Sequence, residues 1–507
     1  MRKTVCLLFA AFCFAAGALA AVAGVSAESF IRQRLSPQPK ELEIFEGWYV
    51  LNGDSTVHIS ASSPLSDSQK LAVADTFRRY WRLSPALEFS EDAANADLGL
   101  EGSETEISSG GIKIRARDFA ALRQALKTLR QFAEAERDGP GQVFALAKIR
   151  DFASMKFRGI HLCIFPETTL EDLEKYIRLS EYYKFNYVVI EPWGVFPFDS
   201  HPEFAFSDRK IDKKGFKKII DYCYDVGITP VPQLSVLGHA SQSRHLSGKH
   251  AVLAAHPELA NIYEPIGWSY CMSSEKAEKI LKDLISELHE FFGNPPYFHI
   301  GCDEAYDMAT CYKCRSQNPV SLFVRHLDKF RKFLLARGAR TIIWHDMLLD
   351  REDPRWAGKI ATGNQKTAEA LGALDKSIVI ADWQYGDGKK DGGFNTPEHF
   401  KMAGFDVLVC PWDSDAGILA LAKVANDNNL FGFLQTTWHR VYGNNYASFF
   451  RRAGDAAWNG GRPPADGKFA DSALTLVSEL SHVAGDMKAS YSASGTSECQ
   501  IFKSIAD

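Results

Sequence analysis

The most constraining feature of the sequence is an alternation of short apolar runs with amphipathic segments over about 300 residues. The apolar runs have the length and composition of buried strands, and the segments between them have helical spacing. Eight strands are predicted in this way, at 157–164, 187–190, 228–234, 297–302, 341–344, 378–382, 405–410 and 431–437. This count and length are typical of a (β/α)8 barrel. A doubly wound open sheet is the alternative, but no glycine-rich dinucleotide turn follows the early strands.

The chain before the predicted barrel has a different rhythm. Strand-like runs at 48–51, 57–59 and 111–115 accompany helical spacing at 71–80 and 119–129, which predicts a small α+β domain. A glycine- and proline-rich break follows Trp458, and 473–487 then reads as an amphipathic helix. We therefore divide the chain into 1–27, a leader; 28–150, the α+β domain; 151–458, the barrel; and 459–507, a helical extension.

The amino terminus has the pattern of a secretory signal peptide. The basic lead Met1-Arg2-Lys3 precedes an apolar, alanine-rich run from Val5 to Val25, and small residues ending at Ala27 offer a cleavage site. A membrane anchor is the alternative, because the run approaches the length that spans a bilayer. The sequence thus predicts export to a periplasm or beyond, with no membrane span after cleavage.

Composition restricts the class of partner. The 507 residues carry a net charge of -5 without a long basic run, which argues against nucleic acid as the main partner. Hydrophobic residues at 46% and charged residues at 24% are ordinary for a globular protein. We expect no cofactor, and the sequence gives no oligomeric state.

Two adjacent carboxylates, Asp303 and Glu304, follow the predicted strand that begins at Tyr297. Burying such a pair is costly, since each carboxylate loses hydration and the two repel each other. At a frayed strand end both can turn into one cavity, where repulsion would leave a protonated acid beside an anion. This pairing suits acid catalysis, whereas the alternative interpretation is a helix amino terminus capped by acidic residues.

Aromatic residues recur beside polar ones where the later predicted strands end. Barrel active sites lie at the carboxyl ends of the strands, so these positions should share one mouth. Such a set favours an aromatic pocket around a hydroxyl-bearing ring, with Asp, Glu, His and Arg reaching its oxygens. The aromatic positions are Trp344, Trp383, Tyr385, Trp412 and Trp438.

Eight cysteines remain beyond the leader, too few and too scattered for a disulfide scaffold. Cys311 and Cys314 form a CxxC pair shortly after the carboxylates. We expect a local disulfide between them, ahead of a zinc site that shares Cys302 and of redox chemistry.

Three motifs carry a resemblance to a known family. The stretch from Phe298 to Glu304 resembles the HxGGDE signature of glycoside hydrolase family 20, the β-N-acetylhexosaminidases. Phe157-Arg158-Gly159 resembles the RG opening of that family's barrel, and Gly238-His239-Ala240 resembles its GH[TA] loop. The segments 37–40 and 128–131 are similar to the small α+β domain that precedes these barrels.

The resemblance implies an exo-acting enzyme that removes terminal β-GlcNAc or β-GalNAc from glycans with retained configuration. The acetamido group of the substrate acts as the nucleophile in this family. Glu304 would be the general acid and then the base, and Asp303 would hold the acetamido N–H and stabilise the oxazolinium-like intermediate. The expected substrate-binding residues are Arg158, Glu191, His239, Trp344, Trp383, Tyr385, Trp412, Asp413, Trp438 and Arg440.

The sequence also departs from the family pattern. Cys302 replaces the second glycine, and Glu191 replaces a histidine-rich strand end, where it would bind hydroxyls or orient His239. Trp412 stands where a tyrosine would clasp the acetamido oxygen, so Tyr385 is the expected substitute. Arg440 replaces a carboxylate and would suit a sulfated or acidic sugar. The alternative function is a non-catalytic carbohydrate-binding protein on a decayed barrel.

Overall fold

A computed structural model of the chain describes residues 31–32, 34–136, 139–205, 210–240, 252–388, 393–438, 441 and 447–462. The predicted leader, the predicted helix at 473–487 and Arg440 lie outside these residues. The described chain forms two compact units, of which the first ends at Ala153 and the second begins at Ser154.

The first unit contains a mixed sheet in the order β1-β7-β4-β5-β2-β3, with β6 paired to β7. Strand β2 runs parallel to β3 and β5, and the other described pairs are antiparallel. The strands are β1 Glu41–Leu51, β2 Thr56–Ala61, β3 Ala86–Glu91, β4 Ser103–Ser108, β5 Gly111–Ala116, β6 Glu134–Ala135 and β7 Gln142–Asp151.

Two helices cover this sheet, α1 (Asp67–Trp81) and α2 (Phe119–Phe132). The side chain of Ser66 accepts the N–H of Gln69 and the side chain of Gln69 accepts that of Ser66, a capping box that fixes where α1 begins. Apolar side chains of both helices pack on the sheet in one buried core. The predicted α+β domain is confirmed.

The second unit is a parallel barrel in the order β10-β9-β8-β15-β14-β13-β12-β11. A parallel bridge between Gln233 and His299 joins the two ends of this order, which closes the sheet. The predicted barrel is therefore confirmed, and the open sheet is wrong. Its strands are β8 Phe157–Ile164, β9 Tyr187–Pro192, β10 Thr229–Pro232, β11 Tyr297–His299, β12 Arg340–Trp344, β13 Val379–Trp383, β14 Asp406–Cys410 and β15 Gly432–Thr436.

Helices alternate with these strands and begin at residues that cap them. Thr169 accepts the N–H of Asp172 at the start of α3, and Ser274 accepts the N–H of Ala277 at the start of α6. The helices are α3 Leu170–Tyr182, α4 Lys213–Asp225, α5 Val252–Ala255, α6 Glu275–Phe291, α7 Pro319–Leu335, α8 Thr396–Met402, α9 Asp415–Asp427 and α10 Ala447–Asn459. Among the described helices, none combines the length and apolarity that a bilayer crossing requires.

The barrel interior is filled from its amino-terminal end by stacked aromatic rings. Phe157 and Tyr187 lie face to face with their centroids 4.0 Å apart, and Tyr297 meets both rings edge-on. Aliphatic residues fill the middle, and the interior ends toward the carboxyl mouth at Trp344 and Trp383. Because the lower barrel is solid, the polar groups of a site can lie only at the carboxyl ends of the strands.

Candidate active site

The site begins with a sharp turn after β11, which ends at His299, earlier than the predicted strand end at 302. Gly301 and Cys302 have φ angles of +64° and +73°, and His299 Nδ1 accepts the N–H of Gly301 at 3.0 Å. A Cβ on Gly301 would lie 2.3 Å from Ser235 Oγ, so only glycine fits this turn. The turn ends the alternation of the strand and frees the next two side chains to face one side.

The two carboxylates then meet at one histidine. His239 Nε2 lies 3.2 Å from Asp303 Oδ2 and 3.3 Å from Glu304 Oε2. Asp303 is buried, and its Oδ1 has no hydrogen-bond partner among the described residues. The Glu304 side chain is 29% exposed, so it is reachable from solvent. The structure thus brings together the three residues that the acidic and GH motifs singled out.

The position of His239 depends on a close approach of two loops. A Cβ on Gly238 would lie 2.0 Å from the carbonyl oxygen of Asp303, so the backbone after β10 can pass beside Asp303 only as glycine. His239 itself has a φ of +58°, and its ring lies 4.7 Å from the ring of Trp268. These constraints hold the imidazole against the carboxylates.

Asp346 supports the acidic pair from the end of β12. It is fully buried, and its Oδ2 accepts the backbone N–H of Glu304 at 2.9 Å and the hydroxyl of Thr362. Its Oδ1 accepts the indole N–H of Trp383 at 3.2 Å. Burial and the neighbouring charge of Asp303 raise the pKa of Asp346 to about 6. Asp346 follows the predicted strand 341–344, but the sequence analysis did not include it among the site residues.

Two further residues that sequence reasoning missed hold Glu304. The Tyr306 hydroxyl donates to Glu304 Oε1 at 2.6 Å, and the indole N–H of Trp268 donates to the carbonyl oxygen of Glu304. Tyr306 lies only two residues beyond Glu304, so its proximity was a usable signal. Trp268 lies in the loop before α6, where no periodicity pointed to the site.

The five predicted aromatic residues form one aromatic cluster at the carboxyl ends of β12 to β15. Ring centroids lie 5.6 Å apart for Trp344 and Trp438, 5.4 Å for Trp383 and Tyr385, and 5.2 Å for Tyr385 and Trp412. Trp344 is 1% exposed and Trp383 is 9% exposed, whereas the other three rings are partly exposed. The two buried rings therefore form the base of the cluster, and the hydrogen bond from Trp383 to Asp346 links the cluster to the carboxylates.

Glu191 and Asp413 lie at the carboxyl ends of two barrel strands, β9 and β14, which are not adjacent in the sheet. Glu191 is buried with its Oε2 3.6 Å from His161 Nε2 and 3.7 Å from Cys163 Sγ, and together with His239 it lines a cavity of about 30 Å³. Asp413 follows β14 and is partly exposed. The predictions that Glu191 and Asp413 bind substrate stay predictions.

The prediction that Arg158 binds substrate is wrong. Arg158 lies at the amino-terminal start of β8, at the opposite end of the barrel from the carboxylates, and is 1% exposed. Its Nη1 donates to the carbonyl oxygen of Met155 at 2.7 Å and its Nε to that of Lys184 at 3.2 Å. Its guanidinium also lies over the ring of Trp458 in α10. The RG motif marked the strand correctly, but Arg158 braces it against the helix layer.

The cysteine predictions also need correction. Cys311 and Cys314 are free thiols, so the expected disulfide between them is not formed. Cys302 does not lie with them, because its Sγ donates to the carbonyl oxygen of Ile300 at 3.4 Å. The thiol that does approach the pair is Cys271, on a different loop.

Part of this chain matches a known protein family. Residues 207–414, which include His239, Asp303, Glu304 and most of the aromatic cluster, match the family model described as "Glycosyl hydrolase family 20, catalytic domain". Over these residues the chain is similar to the catalytic domain of glycosyl hydrolase family 20. The resemblance inferred from the three sequence motifs is therefore confirmed at the level of the family.

Curated relatives are similar to this chain at low sequence identity. The β-hexosaminidase of Porphyromonas gingivalis is 24% identical over 366 residues, which cover 62% of this chain and 45% of that protein. The β-N-acetylhexosaminidase of Cellulomonas fimi is 26% identical over 300 residues, which cover 54% of this chain and 60% of that protein. Hexosaminidase D of Bos taurus is 22% identical over 183 residues, which cover 34% of this chain and 50% of that protein. The matches thus span between 45% and 60% of the length of these relatives.

Solved structures of the family share the fold. The β-N-acetylhexosaminidase of Bacteroides fragilis superposes with a TM-score of 0.67 at 18% identity, covering 89% of this chain and 96% of that chain. The exo-β-N-acetylglucosaminidase of Vibrio harveyi gives a TM-score of 0.64 at 16% identity, and the alignment covers 90% of this chain and 77% of that chain.

Proposed function

We propose that the protein is an exo-acting β-N-acetylhexosaminidase that hydrolyses terminal β-linked GlcNAc or GalNAc from glycans. The observation that carries the proposal is the contact of one histidine, His239, with both Asp303 and Glu304 beside the aromatic cluster. The match of residues 207–414 to the catalytic domain of glycosyl hydrolase family 20 supports the same reaction class.

Glu304 is the proposed general acid. Its carboxyl group is held by the Tyr306 hydroxyl and is open to solvent on the side of the barrel mouth, where a leaving group can depart. The acetamido carbonyl oxygen of the substrate attacks the anomeric carbon, the glycosidic C–O bond breaks, and the leaving oxygen takes the proton of Glu304. The products of this step are the free leaving group and an oxazolinium ion.

Asp303 is the proposed partner of that ion. Its buried Oδ1, which lacks a hydrogen bond among the described residues, is an acceptor suited to the acetamido N–H. An anion in a buried position offsets the developing positive charge far more strongly than it would in water. A water molecule then gives a proton to Glu304 while the water oxygen bonds the anomeric carbon. This step opens the oxazolinium ring and restores the β configuration at the anomeric carbon.

The aromatic cluster is the proposed substrate pocket. Trp344 and Trp383 offer a buried apolar floor for the acetamido methyl group, and the exposed rings offer faces to the sugar. Tyr385, whose phenol oxygen accepts the indole N–H of Trp438, is the proposed clasp for the acetamido oxygen. Arg440, outside the described residues, is proposed to favour a sulfated or acidic sugar.

The test is turnover of chromogenic β-GlcNAc, β-GalNAc and 6-sulfated β-GlcNAc substrates. We expect Glu304→Gln and Asp303→Asn to abolish most turnover, while Glu290→Gln, at an exposed position of α6, retains it. Absence of turnover with all three sugars while glycan binding persists would overturn the proposal and support the non-catalytic binding protein.

We also propose that the protein is exported to a periplasm or beyond, on the basis of the leader at 1–27. Amino-terminal sequencing of the protein from fractionated cells should find a mature chain that begins near Glu28. An uncleaved chain in the cytoplasmic fraction would contradict export.

A further inference from the structure

A second cluster of ionisable groups lies beside the proposed active site. This thiol cluster consists of Glu264, Cys271, Cys311 and Cys314, all of them buried. One potential ligand atom from each residue lies within 4.8 Å of the corresponding atoms of the other three. The Sγ of Cys271 is 3.4 Å from that of Cys311 and 3.6 Å from that of Cys314.

These spacings match shared coordination better than a covalent bond. Bonded sulfurs lie about 2.05 Å apart. Two sulfurs on one tetrahedral zinc, each at about 2.3 Å from the metal, lie about 3.8 Å apart. The observed separations are close to the second value, and a small adjustment of the Cys271 side chain would reach it.

A second, independent observation at Glu264 indicates a cation-binding site. Its Oε2 accepts the N–H of Thr310 at 3.0 Å and that of Cys311 at 2.6 Å. Its Oε1 is buried and has no hydrogen-bond partner among the described residues. A buried carboxylate oxygen without a donor is costly, and a cation bound there would remove the cost.

We propose that Glu264, Cys271, Cys311 and Cys314 form a structural zinc site. Three thiolates and one carboxylate are a donor set that zinc accepts in tetrahedral geometry. Four protein ligands complete that geometry and leave no position for water or substrate, so the site is structural and not catalytic.

The zinc would join two loops that hold Glu304. Glu264 and Cys271 lie between α5 and α6, and Cys311 and Cys314 lie between β11 and α7. Trp268, which donates to the backbone of Glu304, lies on the first loop, and Tyr306, which donates to its carboxylate, lies on the second. The Trp268 and Tyr306 rings also stack, with centroids 5.9 Å apart. This consequence for Glu304 rests on the proposed function, whereas the metal site itself does not.

The test is the metal content of the full-length protein, purified without chelators and measured by plasma mass spectrometry. We expect about one zinc per chain, lost in Cys271→Ala and in Cys314→Ala. Cys223→Ala is the matched control, because it removes a buried thiol of α4 outside the cluster and should retain the zinc. Wild-type protein that holds no zinc after incubation with ZnCl2 would overturn the proposal.

A thiol count separates the metal from a disulfide without relying on the variants. With zinc bound, every cysteine of the unreduced protein should react in denaturant, and a mercurial reagent should release zinc as the thiols are titrated. Two unreactive thiols, mapped by peptide mass spectrometry to a Cys271 disulfide, would overturn the proposal. Glu304→Gln should retain zinc, and wild-type protein that takes up no zinc yet turns over substrate would refute the metal site while leaving the proposed function intact.

Discussion

The two halves of the barrel mouth are held in place by different means. On the side of β10 to β12, His239, Cys302 and Glu304 all have positive φ angles, and polar contacts hold their side chains: His239 lies against Asp303 and Glu304, and Tyr306 donates to Glu304. On the side of β12 to β15, the aromatic cluster is fixed by ring packing, and of its five residues Trp438 has a positive φ angle. Positive φ angles thus concentrate at the carboxylates, as expected where strained backbone positions reacting groups, and ring packing dominates at the binding surface.

The largest effect on catalysis should come from the acidic half of the barrel mouth, on the side of β10 to β12, which carries Asp303 and Glu304. Glu304→Gln removes the transferable proton while keeping the size and the hydrogen bonds of the side chain. We expect kcat/KM for a chromogenic β-GlcNAc substrate to fall by about 100- to 10,000-fold, the usual contribution of a general acid. Glu290→Gln controls for the substitution itself, and a loss of less than tenfold would show that the acidic half does not supply the proton.

Asp346→Asn should have the next largest effect. The new amide group would turn its N–H2 toward either the N–H of Glu304 or the indole of Trp383, so one hydrogen bond that joins the two halves must break. We expect kcat/KM to fall by about 10- to 100-fold. Unchanged kinetics would show that the two halves work independently of this link.

The same variant gives a pH prediction. Because the pKa of Asp346 is raised to about 6 from its ordinary value of 3.8, the folded protein keeps a proton that the unfolded chain has lost between those values. Unfolding therefore releases a proton in this window, and the Asp346 contribution to the free energy of unfolding falls as pH rises from 4 to 6. Urea melts should show this decline in the wild type relative to Asp346→Asn, and a difference that is constant with pH would contradict it.

Within the aromatic half, Tyr385→Phe should have a smaller effect. The ring packing remains, and only the hydroxyl that accepts the Trp438 indole and would clasp the acetamido oxygen is lost. We expect kcat/KM to fall by about tenfold, the cost of one buried hydrogen bond. Unchanged kcat/KM would show that Tyr385 only packs.

The smallest effect on catalysis should come from Arg158→Lys, at the far end of the barrel. Lysine keeps the charge but cannot reproduce the two guanidinium bonds to Met155 and Lys184. We expect the free energy of unfolding to fall by about 1–3 kcal/mol while kcat/KM stays within twofold of wild type. A loss of substrate binding at unchanged stability would restore the original interpretation of the RG motif.

The features of the fold that depend on local structure could be predicted from the spacing of apolar residues in the sequence. The order of the strands and the aromatic residues at their ends follow from periodicity, so the sequence predicted the barrel and the aromatic cluster, although β11 ends at His299, earlier than predicted. The hydrogen-bond partners of Glu304 and Asp346 were not predicted, because Trp268, which donates to Glu304, and Thr362, which donates to Asp346, lie on loops whose paths depend on long-range packing. Arg158 failed for a related reason: its motif identified the strand, but only the folded barrel shows which end of the strand faces the site.

The most direct test of the central claim is a series of chromogenic glucosaminides whose N-acetyl group carries zero, one, two or three fluorine atoms. If the acetamido oxygen is the nucleophile, held between Asp303 and the aromatic cluster, kcat/KM should fall steeply with each fluorine, because fluorine withdraws electron density from that oxygen. Equal kcat/KM across the series would contradict the account and require a nucleophile supplied by the protein.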